Sequence, residues 1–238
     1  MKQQIPVWEA QDSEKGAAVH GLFSRIAKNY DVANRILSFN RDKSWRKLAV
    51  SKLELKCGER ALDICCGTGD FLVPLREAID TDGELVGLDF CQPMLDQASM
   101  KDETSRLVLG DAGNLPFEDG YFHGVSVGWG MRNVPDIQLA HNEAFRVLGP
   151  NGKFVSIDCA EPKSRITRRL TGIARTAVTS ILGMSLKSKD DYKYLSESSK
   201  RFKTRQQLVR IMQDAGFTDV NFQDLMFGNI CIHWGTKP

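Results

Sequence analysis

The sequence predicts a doubly wound α/β fold with a mostly parallel sheet of seven strands. Short apolar runs alternate with helical stretches along most of the chain, which is typical of a parallel sheet covered by helices on both faces. The runs are apolar without strict alternation, as expected for strands buried on both faces. A turn signal between the last two runs predicts an antiparallel hairpin at the end of the sheet.

The N-terminal part is predicted to be helical. The chain up to residue 16 is polar, and we expect it to be a loose segment. Apolar residues then recur at helical spacing from Val19 to Tyr30, and a second helical pattern surrounds Trp45. We expect two helices before the first strand. Together they are expected to form an N-terminal helical lid that comprises residues 17–55. At 238 residues, the chain is expected to hold one domain, residues 17–238.

Five strands and three helices are predicted in the middle of the chain. The strands are ALDICC, ELVGLDF, RLVLGDA, FHGVSVGW and KFVSIDCA. Helices are expected from about Thr68, from about Pro93, and from Asp136 to Leu148, with a short irregular link after the third strand. Each crossover helix returns the chain to the same edge of the sheet.

A helical insert interrupts this alternation at about 163–203. A helix with apolar positions from Ile166 to Ile181 is expected over or beside the strand ends. The α/β pattern then resumes with a helix from Arg205 to Asp214. The strands TDVNFQDL and GNICIHW follow, joined by turn residues at 227–229.

Composition disfavours several classes of protein. The chain has 32 Lys and Arg against 30 Asp and Glu, a net charge of +2, whereas proteins that bind nucleic acid must neutralise many phosphates. No apolar run reaches the roughly 18 residues of a membrane-spanning helix, and the first residues lack the apolar core of a signal peptide. The six cysteines lack paired CxxC spacing, so we expect reduced thiols and no metal site. We therefore expect a cytoplasmic protein.

The sharpest local signal is ALDICCGTGD, at the end of the first strand. Gly67 and Gly69 permit a tight turn and let the backbone approach a ligand at a helix N-terminus. In doubly wound folds this edge of the sheet binds ligands. The pattern predicts a site for a nucleotide-like cofactor, the alternative being a turn that serves the fold alone.

Two residues near this turn favour S-adenosylmethionine (SAM) over a dinucleotide. Leu72 stands where the dinucleotide motif requires a third small residue. Asp63 is expected to present a carboxylate, which would repel a diphosphate and would suit the ammonium and sulfonium groups of SAM.

Acidic residues end the next two strands as well. Asp89, with Phe90 beside it, follows at the spacing expected of an acid that accepts hydrogen bonds from two ribose hydroxyls. Asp111 can accept from the adenine amino group, while Ala112 offers its backbone N–H to the ring. Each acid alone could be a helix cap or a loop residue, but acids at three successive strand ends predict one adenosine site.

Longer motifs extend this pattern over nearly the whole chain from about Val19. They are LFSRIAKNYDVANRILSF with WRK after it, LDICCGTGD, GDAGNLPFEDGYF, GMRNV and DYKYLSESSKRF. With these motifs the sequence resembles the class I methyltransferases, and within them the C-methyltransferases of menaquinone and ubiquinone biosynthesis. The resemblance implies a Rossmann-like fold and methyl transfer from SAM to a ring carbon of a reduced polyprenyl quinone, foremost demethylmenaquinol.

The resemblance also implies contacts with the methyl donor at Thr68, Asp89, Asp111 and Ala112, and one near Gly128. Gly128 stands where many members have Ser, so only a backbone contact is expected there. The other departures, none of them in the glycine turn, are His123 for Asp, Asn40 for Gly and Lys203 for Pro.

The GMRNV motif carries the residues expected to act on the acceptor. A ring carbon becomes nucleophilic when a hydroquinone hydroxyl loses its proton. Arg132 stays protonated, so we expect it to stabilise the phenolate or to hold a water that takes the proton, and Asn133 to orient the ring. The alternative for Arg132 is a structural salt bridge under the N-terminal helices.

Three tyrosines and two histidines are further candidates. Tyr30 is expected to cover the cofactor and to act with the catalytic residues if its segment is a lid, while Tyr192 and Tyr194 are expected to line the far side of the quinone pocket. Core packing with a satisfied hydroxyl is the alternative for each tyrosine. His123 and His233 are the candidate histidine bases.

The insert suggests how a lipid substrate is reached. The helix at 165–182 combines an apolar face with four arginines, a composition typical of segments that rest on anionic headgroups. Peripheral contact with the inner face of the membrane is one reading, and a lid helix with solvated arginines is the other. The sequence leaves open whether two copies form a homodimer.

Three other functions stay open from the sequence alone. The acceptor can be a ubiquinone precursor or another aromatic small molecule. An NAD-linked oxidoreductase is disfavoured by Leu72 and Asp63. A SAM-binding protein without catalytic activity is disfavoured by the retained acids, glycines and GMRNV motif.

Overall fold

The computed structural model describes residues 12–185, 191, 194, 197–199 and 202–238. The helices are α1 (Asp12–Ile26), α2 (Tyr30–Leu37), α3 (Asp42–Ser51), α4 (Leu72–Ile79), α5 (Gln92–Ala98), α6 (Ile137–Val147), α7 (Arg165–Ser185) and α8 (Arg205–Asp214). The strands are β1 (Arg60–Ile64), β2 (Glu84–Asp89), β3 (Arg106–Leu109), β4 (Phe122–Gly128), β5 (Leu148–Cys159), β6 (Thr218–Leu225) and β7 (Ile230–Thr236).

The seven strands form one sheet in the order β3-β2-β1-β4-β5-β7-β6. Only β7 runs antiparallel to its neighbours β5 and β6, so the predicted fold class and the terminal hairpin are confirmed. The strand order reverses between β1 and β4: from β1 the chain proceeds through β2 to β3 on one side, and from β4 it proceeds through β5 on the other. The helical connections of the two halves therefore lie on opposite faces of the sheet. This reversal opens a crevice at the carboxyl ends of the two strands.

Helices cover both faces of the sheet. Apolar side chains of α6 pack on one face around Phe122 and Phe154, together with Met212 of α8. On the other face, Trp45 of α3 and Leu75 of α4 pack over β1 and β2. The glycine turn is thereby fixed between two packed layers.

The N-terminal part contains three α-helices, not the two predicted. The first begins at Asp12, so residues 12–16, expected to be loose, are helical. A 3-10 turn at Ala27–Asn29 separates α1 from α2, and Phe39 and Asn40, with φ of 52° and 60°, separate α2 from α3. Asn adopts positive φ more readily than most residues, which explains how it can replace a glycine there. Periodicity alone does not reveal such one-turn breaks.

Elsewhere the element bounds differ from expectation in two places. Helix α4 begins at Leu72 rather than near Thr68, because Gly67 and Gly69 adopt φ of +55° and +81° and keep the turn non-helical. Strand β5 begins at Leu148, directly after α6. The predicted bounds of α8 are confirmed. The helix begins with a capping box, in which the Thr204 side chain accepts from the backbone N–H of Gln207 and the Gln207 side chain accepts from the backbone N–H of Thr204.

Helix α7 lies on the surface beside α2. Its predicted apolar face is exposed where the structure describes it: Ile166, Leu170 and Ile173 are 74%, 63% and 62% exposed. Within the described residues, none of the helices is both long enough and apolar enough to cross a membrane.

Candidate active site

A cleft opens where the strand order reverses. Counted with the open space at its mouth, it measures about 740 Å³. The predicted site residues on its wall are Tyr30, Gly67, Asp89, Phe90, Asp111, Ala112, Gly128 and Asn133. Of the predicted residues that the structure describes, Asp63, Thr68, Gly69, Arg132 and Tyr194 lie behind the wall. Tyr192 is outside the described residues.

The glycine turn is held by close contacts on both sides. A Cβ on Gly69 would lie 3.0 Å from the Cα and Cβ atoms of Ala98 in α5, so the turn can pack there only as glycine. A Cβ on Gly67 would lie 4.0 Å from the Cys65 carbonyl oxygen, an ordinary contact, as expected for a residue that faces the cleft. Gly67 also donates its N–H to Asp89 Oδ2 at 2.8 Å. The turn is therefore rigid before any ligand binds.

Asp89 links the glycine turn to the end of β2. One carboxylate oxygen accepts from Gly67, and the other accepts from the N–H of Cys91 at 2.9 Å. Burial raises its pKa to about 6, while the backbone hydrogen bonds counteract part of that rise. Each oxygen has a further lone pair, so the carboxylate fits the predicted role of accepting from a ribose diol.

The prediction that Asp63 carries a charge toward the ligand is wrong. Asp63 is 1% exposed, and its carboxyl group accepts a hydrogen bond from the Ser126 hydroxyl at 2.6 Å in the neighbouring strand. Burial raises its pKa to about 8, so the group is mainly neutral at pH 7. Its role is to tie β1 to β4 beneath the cleft, because a side chain inside a parallel strand has no route to the open edge.

Asp111 and Ala112 form the outer wall after β3. The Asp111 carboxylate is exposed and accepts from the N–H of Gly113 at 2.8 Å, which fixes the loop. Ala112 is 5% exposed and lines the cleft. This wall fits the predicted adenine end of the site.

The ring of Phe71 explains why residue 128 is glycine. A Cβ on Gly128 would lie 2.4 Å from Phe71 Cε2 and 2.8 Å from Cδ2, well inside contact distance. Phe71 is 3% exposed and packs in the core between α4 and the sheet. The backbone of Gly128 therefore lines the cleft with its Cα against this ring.

We expect Gly128→Ala to destabilise the protein by about 1–3 kcal/mol, because the Phe71 ring must move to admit the methyl group. Thermal unfolding checks this result. The double variant Gly128→Ala with Phe71→Leu should recover part of the loss, since it supplies the missing space. An unchanged midpoint in the single variant would show that the ring yields freely.

The side chain of Thr68 contacts the N-terminal segment and not the cleft. Its hydroxyl donates to Asp31 at 2.5 Å and accepts from Lys101 at 3.2 Å. Lys101 also forms ion pairs with Asp31, at 2.6 Å, and with Asp70. The Thr68 side chain therefore joins α2 to the glycine turn, and the donor contact that the resemblance implies at Thr68 stays a prediction.

Arg46 of α3 completes this connection and was missed in the sequence. Its guanidinium pairs with Asp42 at 2.7 Å and with Asp70 at 3.1 Å, and it stacks 4.7 Å from the ring centre of Trp129. Trp129 lines the cleft. The WRK motif contains Arg46, but two of these three partners, Asp70 and Trp129, lie more than 20 positions away, so no local signal identified them.

Tyr30 and Asn133 shape the cleft at the end of β4. The Tyr30 ring packs edge-on against Phe23, 5.9 Å between centres, and burial raises its pKa. Asn133 donates to the Trp129 carbonyl oxygen at 3.2 Å and accepts from the Tyr194 hydroxyl at 2.9 Å. Tyr194 is 1% exposed, so it supports Asn133 from behind and does not itself line the cleft.

Arg132 lies behind Asn133 in a buried ion pair. Its Nη1 donates to Asp158 Oδ1 at 2.7 Å, and the two side chains are 5% and 6% exposed. Arg132 therefore forms an ion pair, but with the end of β5 and not under the N-terminal helices, and its role in catalysis stays a prediction. Asp158, in the run KFVSIDCA, was missed as a site residue because it was counted only as part of a strand.

Neither candidate histidine lines the cleft. His123 is exposed and accepts from the Arg60 N–H, whereas His233 is 2% exposed and burial lowers its pKa to about 4. The structure gives no support to a histidine base.

The sequence matches the model of the ubiE/COQ5 methyltransferase family over residues 10–237. It is 37% identical over 232 residues to a demethylmenaquinone methyltransferase of Staphylococcus saprophyticus, covering 96% of this chain and 100% of the relative. A demethylmenaquinone methyltransferase of Staphylococcus epidermidis is 38% identical over 232 residues, covering 96% of each chain.

A solved structure also matches nearly the whole fold. It is a SAM-dependent methyltransferase of Thermotoga maritima, described as a possible histamine N-methyltransferase. The TM-score is 0.65 at 22% identity, covering 92% of this chain and 99% of that chain. At this identity the match shows the fold alone.

Proposed function

This chain belongs to the ubiE/COQ5 methyltransferase family, and on that premise we propose that it methylates a ring carbon of a reduced polyprenyl quinone, converting demethylmenaquinol to menaquinol. It is a SAM-dependent methyltransferase by family. The observation that carries the choice of acceptor is the match, over their full or nearly full length, with relatives named demethylmenaquinone methyltransferase.

The cleft supports this proposal by its two unlike ends. Asp89, Asp111 and Ala112 suit the ribose and adenine of SAM, and the backbone at Gly67 suits the rest of the donor. The part of the wall that we assign to the acceptor, called its acceptor end, consists of aromatic and amide side chains, which suit a flat hydroquinone ring. They are Phe23, Tyr30, Trp129 and Asn133.

Binding in this cleft would accelerate the reaction in two ways. When bound, SAM supplies an electrophilic methyl group on a sulfonium. The aromatic wall and Asn133 would hold the acceptor ring in line with that methyl group, an alignment that can supply ~7–11 kcal/mol. Phe23, Tyr30 and Trp129 would also exclude water, which strengthens the interaction of a phenolate with the buried Arg132.

Label transfer from methyl-labelled SAM tests this function. The enzyme would be incubated with reduced demethylmenaquinone or with a reduced, demethylated ubiquinone precursor, and the extracted lipid would be analysed by mass spectrometry. We expect label on the ring carbon of the naphthoquinol. Label in the ubiquinone precursor alone would show that this precursor, and not demethylmenaquinol, is the acceptor. No label in either lipid, although SAM binds, would favour a protein without catalytic activity.

The N-terminal segment, residues 17–55, is proposed to act as the lid of this domain. Its apolar residues pack on α5 around Met94, and the Asp31–Lys101 pair ties it to the glycine turn. Because Phe23 and Tyr30 come from this segment, its closure would complete the acceptor end of the cleft.

We also propose that the exposed face of α7 rests on an anionic membrane surface on the cytoplasmic side. The helix carries four arginines and no acidic residue, and α2 beside it exposes Val32 and Ile36. A helix that combines apolar residues with several cations has the composition that binds the headgroup region. A lipid substrate would then reach the cleft next to α2 without leaving the bilayer.

We expect Ile166→Ser, Leu170→Ser and Ile173→Ser together to weaken binding to phosphatidylglycerol vesicles at least about tenfold, because three aliphatic side chains no longer enter the interface. Cosedimentation measures this. The matched control replaces Val73, Met100 and Leu109, exposed apolar residues elsewhere, by Ser.

The arginines provide a second arm of the same test. Replacing Arg165, Arg168, Arg169 and Arg175 by Gln should reduce both vesicle binding and its sensitivity to salt. Binding that persists unchanged would refute the membrane proposal. A drop in molecular mass from dimer to monomer in the serine variant, with vesicle binding intact, would instead assign the face to contact between copies.

A further inference from the structure

The two oxygens of the buried Asp158 carboxyl group have unequal surroundings. Oδ1 accepts from Arg132 Nη1 and from the N–H of Cys159, both at 2.7 Å. Oδ2 is fully buried and has no hydrogen-bond partner within the described part of the chain. An unsatisfied oxygen on a buried carboxylate destabilises the folded protein, because the desolvation of that oxygen is not compensated. Such a group calls for a functional explanation, because most buried polar atoms are paired.

Asp158 lies directly behind the acceptor end of the cleft. The residue before it, Ile157, accepts the N–H of Trp129 at 2.8 Å, so the end of β5 adjoins the wall at 129–133. Arg132, its ion-pair partner, precedes the wall residue Asn133. The groups that act electrostatically on Asp158 are the guanidinium and the backbone N–H of Arg132 and the backbone N–H of Cys159, and Asp158 itself acts on Cys65 and Tyr194. Arg132 is the cation among them.

We propose that Asp158 Oδ2 is the proton acceptor of the reaction, taking the proton of the hydroquinone hydroxyl through one hydrogen-bonded water that bridges the cleft wall. This inference rests on the proposed function. While Asp158 is ionised, its charge cancels that of Arg132. When it takes the proton, the guanidinium is left as a net positive charge beside the new phenolate, so one transfer creates both the nucleophile and its stabiliser.

The reaction balances with this single acceptor. The O–H bond of the hydroquinone breaks and its proton moves to Asp158. The ring carbon then forms a bond to the donor methyl group as the sulfur–carbon bond breaks, giving a neutral dienone and S-adenosylhomocysteine. The dienone loses its ring hydrogen as a proton and its carbonyl oxygen gains one, which restores the hydroquinone. The proton on Asp158 is released to solvent.

Other groups near the cleft are less suited to this role. Burial raises the pKa of Asp158, which strengthens it as a base, although Arg132 opposes the rise. Burial also raises the pKa of Tyr30, and that of Tyr194 to about 12, so both stay protonated at neutral pH. Asp63 is bonded to Ser126 below the cleft.

The test is the pH profile of single-turnover methyl transfer by Asp158→Asn. We expect the rate at pH 7 to fall about 10²–10⁴-fold, the usual effect of losing a general base. The variant's rate should then rise tenfold per pH unit toward pH ~10, where a phenolic hydroxyl ionises by itself. The wild-type rate should instead reach a plateau at lower pH. SAM affinity, measured by calorimetry, should change less than about threefold.

Two controls separate a base from a structural residue. Asp224→Asn also removes a carboxylate paired with a buried arginine, Arg205, and should keep the wild-type profile. If Asp158→Asn does not fold, Asp158→Asn with Arg132→Met removes both charges and should show the same rise with pH.

The outcomes also distinguish this inference from the proposed function. Wild-type turnover at pH 7 by Asp158→Asn, or an equal loss at every pH, would overturn the inference while leaving the function intact. Absence of label transfer by the wild-type enzyme in the same buffers would overturn the function itself.

Discussion

Replacing Arg132 by alanine is expected to reduce turnover about 10²–10³-fold while SAM affinity stays within about threefold. The guanidinium is the fixed cation behind the acceptor end, and losing one preorganised group that stabilises an oxyanion has an effect of this size. Single-turnover rates and calorimetry measure the two quantities separately.

The same variant should change the pH profile in a defined direction. Removing the cation leaves Asp158 buried without its partner, which raises the pKa of that carboxyl group further. The plateau of the rate should therefore move to higher pH. Arg76→Ala is the control, since it removes an arginine of α4 that is likewise paired with a carboxylate, that of Asp102. Equal losses of turnover and SAM affinity in Arg132→Ala would assign Arg132 a structural role.

Asp89→Ala is expected to weaken SAM binding about 10²–10⁴-fold. Two hydrogen bonds from ribose hydroxyls to an ionised carboxylate are worth about 1.5–3 kcal/mol each, and the variant also frees the Gly67 N–H that shapes the turn. The control is Asp111→Ala, which removes an exposed acid at the end of the next strand. We expect it to weaken binding less than about tenfold.

The pH dependence of SAM binding should follow Asp89. Burial raises the pKa of Asp89 to about 6, so the free enzyme loses the acceptor charge as the pH falls through that value. SAM affinity should therefore decrease below pH 6 in the wild type, and Asp89→Ala should lack that decrease. An identical pH dependence in both proteins would mean that Asp89 does not contact the donor.

Most of the fold follows from local pattern. Continuous apolar runs and the glycines between them predicted the seven strands. The end of α8 at Asp214 was predicted from Gly216 just after it, because turn chemistry is local. The break between α1 and α2 was not predicted, since a single 3-10 turn leaves the apolar spacing nearly unchanged. Short-range sequence signals therefore define element types better than element ends.

The site was predictable where backbone position alone decides the role. Asp89, Asp111 and Gly67 reached the wall because strand ends and turns in this topology meet at one edge. Asp63 was misjudged because its charge depends on burial against Ser126, a residue of another strand. The same limit applies to the Lys101–Asp31 and Arg132–Asp158 pairs, which depend on contacts between distant segments.

Equilibrium binding of SAM, S-adenosylhomocysteine and NADH to the wild-type protein tests the central claim most directly. The account predicts that the two sulfur compounds bind with one-to-one stoichiometry and compete with each other, while NADH does not bind. With Leu72 fully buried against the glycine turn, no small residue is present to admit a diphosphate. Tight binding of NADH, with none of SAM, would contradict it.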